Sequence, residues 1–320
     1  MRIVFMGTPD YAAESLKNLC ASEHEIVAVY TQPDRPKGRK GELAAPPVKE
    51  YALEQGLEVF QPERIRRKAW VAKLKEQAPD LMVVAAFGQI LPKSILDIAP
   101  CINVHASLLP KYRGSSPIQR SIAAGDEVTG VTIMRMDEGI DTGNSILQVQ
   151  VPITDTDTGE TMHDKLAVAG ARALMQVVEQ FAAGENPEGE KQDDAQATHA
   201  PMLSREDGKM DWSQSARLMD CAVRAFTPWP SAYTTFEGKI LKVQQVKVFA
   251  REGNISEVGQ VLTKEQAAAL GAKADCQILV QAGEGILEIC QLQLPGKKAL
   301  PADVFLRGCP LWGKRLGADE

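Results

Sequence analysis

An asparagine and a histidine stand two residues apart at the end of an apolar run, at Asn103 and His105. Alternate residues of a strand point to the same face, so an extended chain at this point would project both side chains into one cleft. A carboxylate, Asp141, follows in a turn-like segment between two further apolar runs. An amide, an imidazole and a carboxylate together can hold a developing oxyanion and move a proton.

No serine or cysteine nucleophile is obviously paired with these three residues, which favours direct transfer of a group from a donor to an acceptor without a covalent enzyme intermediate. Structural roles are open as well. His105 could be a core histidine, Asn103 could cap a turn, and Asp141 fits a hairpin turn without any chemistry. The strand spacing of Asn103 and His105, just before a Ser-Leu-Leu-Pro turn, favours the catalytic interpretation.

The elements around these residues alternate between strand and helix patterns. Continuous apolar runs predict buried strands at 2–6, 25–31, 80–86 and 102–104, helical spacing predicts helices at 48–54, 68–77, 117–124 and 158–183, and 130–136 and 145–151 are predicted to pair. This order predicts an α/β fold with a doubly wound, mostly parallel sheet of the Rossmann type. Ligands of such sheets bind beyond the carboxyl ends of the strands, which is where Asn103 and His105 lie.

The turn after the first strand is Gly7-Thr8-Pro9, with Pro9 predicted as the first helical residue and Thr8 as its cap. The G-x-G-x-x-G fingerprint is absent and proline lacks an amide donor, which argues against a nicotinamide dehydrogenase. Residues 32–47 are polar, basic and rich in proline and glycine. They predict a long loop that is either simply solvated or in contact with RNA phosphates.

The composition changes at residues 184–205, where an acidic stretch without periodicity predicts a linker. Beyond it, one helix at 213–226 is followed by short strands at 232–236, 240–248, 259–262, 274–280 and 285–293, a pattern typical of a small β-barrel of the OB type. We therefore predict a catalytic domain at 1–184, a linker at 185–205 and a barrel domain at 206–320.

The composition of the chain, 44% hydrophobic and 24% charged residues, is that of a soluble globular protein. There is no apolar run near 18 residues and no signal-peptide pattern, so we expect a cytoplasmic protein without a membrane segment. Four histidines and six scattered cysteines without a Cys-x-x-Cys pair predict reduced thiols and no metal site. The net charge of −6 argues mildly against a large nucleic-acid footprint, although the excess acid lies before residue 206.

Several motifs resemble those of the folate-dependent formyltransferases. The resemblance lies in the segments Asn103-Val104-His105-Ala106-Ser107-Leu108-Leu109-Pro110, Arg113-Gly114-Ser115-Ser116-Pro117-Ile118-Gln119-Arg120 and Asp141-Thr142-Gly143. Further segments resemble the branch of that family that acts on methionyl-tRNA: Phe5-Met6-Gly7-Thr8-Pro9-Asp10, Thr31-Gln32-Pro33-Asp34-Arg35-Pro36, Phe60-Gln61-Pro62 and Arg224-Ala225-Phe226-Thr227-Pro228-Trp229-Pro230. The match runs from about residue 1 to about residue 315 and spans both predicted domains.

The resemblance implies that 10-formyltetrahydrofolate is the donor and the α-amino group of methionyl initiator tRNA the acceptor. It implies catalytic roles for Asn103, His105 and Asp141. The implied folate contacts are Ser107, Leu108, Leu109, Pro110, Phe87, Gly88, Ile90 and Leu91. The implied tRNA contacts are Arg39, Lys37 and Arg35, with the barrel domain also binding tRNA.

Two other functions fit the same residues. The first is a related folate-dependent formyltransferase or hydrolase, acting on the amine of a ribonucleotide or a sugar nucleotide. The second is an RNA-binding protein without catalytic activity, against which the presence of all three catalytic residues argues. In each case we expect a monomer that needs no metal.

Overall fold

The structure, a computed structural model, describes residues 1–37, 41–273 and 275–318, with Lys37 described by its main chain alone. The helices are α1 Asp10–Cys20, α2 Pro47–Glu54, α3 Lys68–Gln77, α4 Lys93–Leu96, α5 Pro117–Ala123, α6 Gly159–Ala182, α7 Ala216–Ala225, α8 Lys264–Ala269 and α9 Ala302–Gly308. The strands are β1 Arg2–Gly7, β2 Glu25–Tyr30, β3 Arg35–Lys37, β4 Glu42–Ala44, β5 Val59–Phe60, β6 Leu81–Ala85, β7 Cys101–His105, β8 Arg113–Gly114, β9 Val128–Arg135, β10 Ser145–Pro152, β11 His199–Ala200, β12 Tyr233–Phe236, β13 Lys239–Ala250, β14 Ile278–Gln281, β15 Ile286–Gln293 and β16 Leu300–Pro301.

The chain forms two compact units, each built from several segments. The first unit comprises Met1–Pro117, Val128–Pro152 and His163–Pro201, and the second comprises Ile118–Glu127, Ile153–Met162 and Met202–Glu320. Most of the segment predicted as a linker, 185–205, is therefore part of the first unit. The division of the chain at residues 184 and 206 stays a prediction from the sequence.

A twisted sheet in the order β10-β9-β7-β6-β1-β2-β5 forms the centre of the first unit. The strands from β7 to β5 pair in parallel, whereas β9 is antiparallel to both of its neighbours. All five residues of β6 are buried, as expected of a central strand covered on both faces. This topology confirms the predicted doubly wound, mostly parallel sheet, and it brings the carboxyl ends of β1, β6 and β7 to one edge.

An antiparallel sheet in the order β12-β13-β15-β14, with β16 on β15, forms the second unit. Val261 bridges to Val280 and so extends the sheet toward a small barrel. Trp212, Phe236 and Phe305 are buried in a common apolar cluster with the inward residues of the strands. The serine before α7, Ser215, caps that helix by accepting a hydrogen bond from the Leu218 amide. These elements agree with the barrel predicted from the sequence.

Some short elements differ from the sequence-based expectation. The segment 32–47, predicted as one long loop, contains the hairpin of β3 and β4. Residues 259–262, predicted as a strand, make only isolated bridges. The helices α4, α8 and α9 were not predicted, because each has only four to seven residues and so shows no clear helical period.

The part of the chain that the structure describes contains neither a membrane-spanning helix nor a metal-binding cluster. No helix there is long and apolar enough to cross a membrane. No group of three or more His, Cys, Asp or Glu residues there could hold a metal ion. The six cysteines are free thiols, and burial raises the pKa of Cys101 to about 12, so this thiol stays protonated at neutral pH.

Candidate active site

Asn103 and His105 occupy the carboxyl-terminal half of β7, between β6 and β9. Asn103 is in register with Val84 of β6 and Met134 of β9, and His105 is in register with Thr132 of β9. The two residues are separated by one position in a regular strand, so their side chains lie on the same face of the sheet. His105 is buried and Asn103 is half-buried.

The imidazole of His105 has a defined orientation. Its Nε2 lies 2.9 Å from the main-chain oxygen of Tyr112, which can only accept, so Nε2 carries a hydrogen and donates it. Its Nδ1 lies 3.6 Å from Oδ1 of Asp141, just beyond the distance of a direct hydrogen bond. Nδ1 is therefore the nitrogen that faces the carboxylate and can exchange a proton.

The carboxylate of Asp141 is held in place by main-chain geometry. Asp141 has a φ of 54°, in the left-handed region that few residues other than glycine adopt. Its Oδ2 accepts a hydrogen bond of 2.8 Å from the amide of Gly114, which leaves Oδ1 directed at His105. The backbone amide thus fixes which of the two carboxylate oxygens faces the imidazole.

The side-chain amide of Asn103 is the third member of the candidate catalytic group, which consists of Asn103, His105 and Asp141. Among the residues that the structure describes, none forms a hydrogen bond with this side chain, so its NH2 group is available to a ligand. The structure thus brings together the three side chains that the sequence analysis selected. An amide donor and an imidazole donor on one face, with a carboxylate behind the imidazole, can stabilise an oxyanion and transfer protons.

The turn after β7 is fixed by a chain of hydrogen bonds. The Ser107 hydroxyl donates to the main-chain oxygen of Lys111 over 2.6 Å, and the Thr132 hydroxyl donates to the main-chain oxygen of Ser107 over 2.7 Å. Leu109 is held from both sides, because its amide donates to the Thr132 hydroxyl and its oxygen accepts from Gln148. This turn carries the predicted folate contacts Ser107, Leu108, Leu109 and Pro110, at the edge of the sheet next to His105.

The second segment with predicted folate contacts follows β6. Phe87 and Leu91 are buried, whereas Gly88 and Ile90 are exposed, so the latter two form the accessible face. The main-chain oxygen of Phe87 accepts hydrogen bonds from the Thr8 hydroxyl and from the Gln32 amide side chain. The prediction that Thr8 caps α1 is therefore wrong. The helix begins at Asp10 without a side-chain cap, because the Thr8 hydroxyl ties β1 to the loop after β6 instead.

The basic segment that follows β2 is only partly described. Arg35 is exposed at the start of β3, and its guanidinium donates to Oε1 of Gln32 over 3.3 Å. The side chain of Lys37 and all of Arg39 lie outside the described residues. The base of the segment is fixed by Asp34, whose carboxylate accepts from Lys49 and Gln61, and these hydrogen bonds lower the pKa of its carboxyl group.

The sequence analysis missed two residues that hold Asp141. Gly114, whose amide binds the carboxylate, belongs to a segment that was selected only for its resemblance to the formyltransferases and was given no role of its own. Gln192, which binds the main-chain oxygens of Asp141 and Gly143, lies in the segment that had been predicted as a linker. For Gly114 the resemblance offered a signal, since its motif belongs to the matching segments, but nothing in the sequence around Gln192 indicates a partner.

We expect Gly114→Ala to lower the free energy of unfolding by roughly 2 kcal/mol or more, as measured by urea denaturation. Gly114 has a φ of 122°, and an added Cβ would lie 2.6 Å from the main-chain oxygen of Ala200. Gly56→Ala is the matched control, because Gly56 also has a positive φ, of 71°, but an added Cβ would meet nothing within 4 Å. Equal losses in the two variants would contradict the inference that Gly114 is fixed by close contact.

Comparisons with known proteins identify relatives of both units of the chain. A family model described as formyl transferase matches residues 1–178, and a model described as formyl transferase, C-terminal domain, matches residues 202–310. The methionyl-tRNA formyltransferase of Marinobacter nauticus is 44% identical over 310 residues, which cover 96% of each protein. That of Pseudomonas fluorescens strain SBW25 is 47% identical over 308 residues, which cover 95% of this chain and 93% of the relative.

Solved structures share the fold at low identity. An N-formyltransferase from Helicobacter canadensis, in complex with folinic acid and dTDP-3-aminofucose, has a TM-score of 0.63 and 16% identity and covers 90% of this chain and 98% of its own. The sugar 3N-formyl transferase WlaRD has a TM-score of 0.64 and 18% identity, with 93% and 99% covered. HypX from Aquifex aeolicus, in complex with tetrahydrofolic acid, has a TM-score of 0.59 and 16% identity, with 96% and 47% covered.

Proposed function

The chain belongs to the methionyl-tRNA formyltransferase family, and from that premise we propose that it transfers the formyl group of 10-formyltetrahydrofolate to the α-amino group of methionyl initiator tRNA. The observation that carries this proposal is the approach of the Asp141 carboxylate to the His105 imidazole, beside the available amide of Asn103. The reaction is an acyl transfer between two nitrogen atoms, and it needs an oxyanion site and a route for one proton.

In the proposed reaction, Asn103 and His105 hold the oxyanion. The amine attacks the formyl carbon, and the carbonyl oxygen gains the negative charge of a tetrahedral intermediate. The Tyr112 oxygen occupies Nε2 of His105, so the hydrogen that Nδ1 carries in the protonated imidazole and the NH2 group of Asn103 are the donors left for that oxygen. Removing one donor of this kind typically lowers kcat ~100- to 1000-fold.

Asp141 and His105 carry the proton from the attacking amine to the leaving nitrogen. The attacking amine becomes positively charged on addition and releases a proton to the Asp141 carboxylate, directly or through water. His105 supplies a proton to the folate nitrogen as the bond from that nitrogen to the formyl carbon breaks. A proton passing from Asp141 to Nδ1 over the 3.6 Å between them then restores both groups.

We place the donor between the two segments at the edge of the sheet. The exposed main chain of Gly88 and the exposed side chain of Ile90 offer a polar edge and an apolar face, which suit a flat heterocycle. The turn Ser107–Pro110 flanks the other side, next to His105. Phe87 and Leu91 are buried within the same loop, and their contact with the donor stays a prediction.

The proposal that the acceptor is a tRNA rests on the positive charge of the segment after β2. Arg35, Lys37 and Arg39 follow β2 closely in the sequence. Arg35 is exposed beyond the carboxyl end of that strand, at the same edge of the sheet as the carboxyl ends of β1 and β6. Cationic side chains at the mouth of a site bind nucleic-acid phosphates and make binding sensitive to salt. We also assign a share of tRNA binding to the second unit, because the similarity to proteins named methionyl-tRNA formyltransferase extends over this unit as well.

The proposal is tested by measuring formyl transfer from 10-formyltetrahydrofolate to three acceptors in parallel: methionyl initiator tRNA, methionyl elongator tRNA and glycinamide ribonucleotide. We expect kcat/KM for the initiator to exceed that for each other acceptor by at least ~100-fold, a difference of about 3 kcal/mol in transition-state binding. Preferred transfer to the ribonucleotide, or release of formate without an acceptor, would overturn the assigned acceptor while keeping the catalytic group. A kcat/KM for the elongator tRNA equal to that for the initiator tRNA would overturn the role in initiation.

A further inference from the structure

Residues 190–200, near the end of the first unit, contact the loop that carries Asp141. We call these residues the strap. At one end, Glu190 exchanges two main-chain hydrogen bonds with Ser145, at the start of β10. At the other end, β11 pairs in parallel with β8. Between these ends most of the strap is exposed, but Gln192 is buried, with only 7% of its surface accessible.

The amide of Gln192 makes four hydrogen bonds. Its Nε2 donates to the main-chain oxygens of Asp141, over 2.8 Å, and Gly143, over 2.6 Å. Its Oε1 accepts from Nε and Nη2 of Arg113, over 3.0 and 2.9 Å. Both donors and both acceptor positions of the amide are therefore used, and its orientation is fixed by partners that can only accept or only donate.

The two hydrogen bonds donated by Nε2 of Gln192 are made to main chain in a rarely adopted conformation. Asp141 is in the left-handed region, a conformation that persists in a residue with a side chain only when its surroundings enforce it. Gln192 holds the oxygen of Asp141 itself and that of Gly143, two residues on. These contacts fix the direction in which the Asp141 side chain leaves the main chain, and with it the 3.6 Å approach to His105.

The strap supports Asp141 by a second route as well. The Gly114 amide that binds Oδ2 of Asp141 belongs to β8, and β8 is paired with β11 of the strap. Arg113, which holds the Gln192 oxygen, precedes Gly114 in the same strand and also contacts Asp194 of the strap over 2.8 Å. The main chain and the carboxylate of Asp141 are thus both positioned through residues 190–200.

From these contacts we propose that Gln192 is a positioning residue, which acts through Asp141 to set the geometry of the carboxylate and imidazole during formyl transfer. This inference rests on the proposed function. It gives a role in the reaction to a segment that, from its sequence, is only a polar connection between two domains. Gln192 itself does not contact the reacting atoms.

Gln192→Glu in the full-length protein separates the hydrogen bonds that the side chain accepts from those that it donates. A carboxylate keeps the acceptor that faces Arg113 but offers no hydrogen to the oxygens of Asp141 and Gly143. We expect kcat to fall ~10- to 100-fold with KM for the donor changed less than ~3-fold, because the effect falls on the chemical step rather than on binding. Gln192→Met, which keeps the volume and adds no charge, is the second variant if the first fails to fold.

A double-mutant cycle with Asp141→Asn tells positioning from general destabilisation. If Gln192 acts through Asp141, the double variant should be no slower than Asp141→Asn alone, because the carboxylate that Gln192 positions is already absent. The matched control is Gln196→Glu, an exposed glutamine of the same strap whose amide contacts Asp193. This control introduces the same charge and should keep kcat within ~2-fold of the unchanged protein.

The outcomes distinguish this inference from the function on which it rests. Normal kcat in both Gln192 variants, with Asp141→Asn strongly impaired, would overturn the positioning role alone. A loss of rate that multiplies with that of Asp141→Asn would also overturn it, because two independent effects add in free energy. Normal turnover by Asp141→Asn would instead count against the proposed catalytic group.

Discussion

Replacing His105 by alanine is expected to lower kcat for formyl transfer at least ~100-fold while the folate donor still binds with nearly unchanged affinity. The imidazole of His105 is buried, and its Nδ1 faces the Asp141 carboxylate at 3.6 Å. Its removal takes away an oxyanion donor and the acid that protonates the leaving nitrogen. The donor contacts lie on separate segments, so donor binding should survive.

Two measurements separate an effect of His105→Ala on the chemical step from an effect on donor binding. Single-turnover formyl transfer gives the rate of the chemical step, and fluorescence titration with a non-reactive folate gives donor affinity. His163→Ala is a matched control, because His163 pairs with Asp10 and Asp164 and not with any residue of the catalytic group. Near-normal turnover by His105→Ala would remove His105 from the mechanism, and a parallel loss in the control would point to destabilisation.

The second large effect is expected for Asp141→Asn, for which we predict a ~100-fold fall in kcat at an almost unchanged free energy of unfolding. Asparagine adopts the left-handed region at least as readily as aspartate, so the φ of 54° is no obstacle. Its side-chain oxygen can still accept from the Gly114 amide. The substitution therefore removes only the negative charge and the proton acceptor beside His105.

Urea denaturation beside the rate assay is the measurement that checks this prediction. A variant that is as stable as the unchanged protein but ~100-fold slower would support a role for the charge itself. If the variant instead turned over at the normal rate, the carboxylate would be a structural acceptor for Gly114, and the proton route through Asp141 would be wrong. A large loss of stability would show that the anion holds the loop together.

Local sequence patterns predicted the part of the site that depends on a single strand. The apolar run before Asn103 and the two-residue spacing to His105 depend on the period of a strand, which can be seen in any isolated segment. The continuous apolar residues of β6 predicted a central strand for the same reason. The place of both residues at the carboxyl end of the sheet followed from the alternation of strands and helices.

Contacts between distant segments could not be predicted in this way. Gln192 lies 51 residues from Asp141 and 79 from Arg113 in the sequence, and a buried glutamine among charged, exposed neighbours has no periodic signal. The hydroxyl of Thr8 likewise binds Phe87, 79 residues away, instead of capping the adjacent helix. A residue with hydrogen-bonding capacity can satisfy it locally or at long range, and composition does not decide between the two.

The parallel pairing of β11 with β8 has a consequence for recombining members of this family. A chimera joined at residue 184, where the composition changes, would take the sheet from one parent and the residues that hold the Asp141 loop from the other. The junction that keeps these contacting residues in one parent lies after Pro201, the last residue of the first unit. The residues that hold the Asp141 loop therefore lie in the stretch between residues 178 and 202, which neither family model covers.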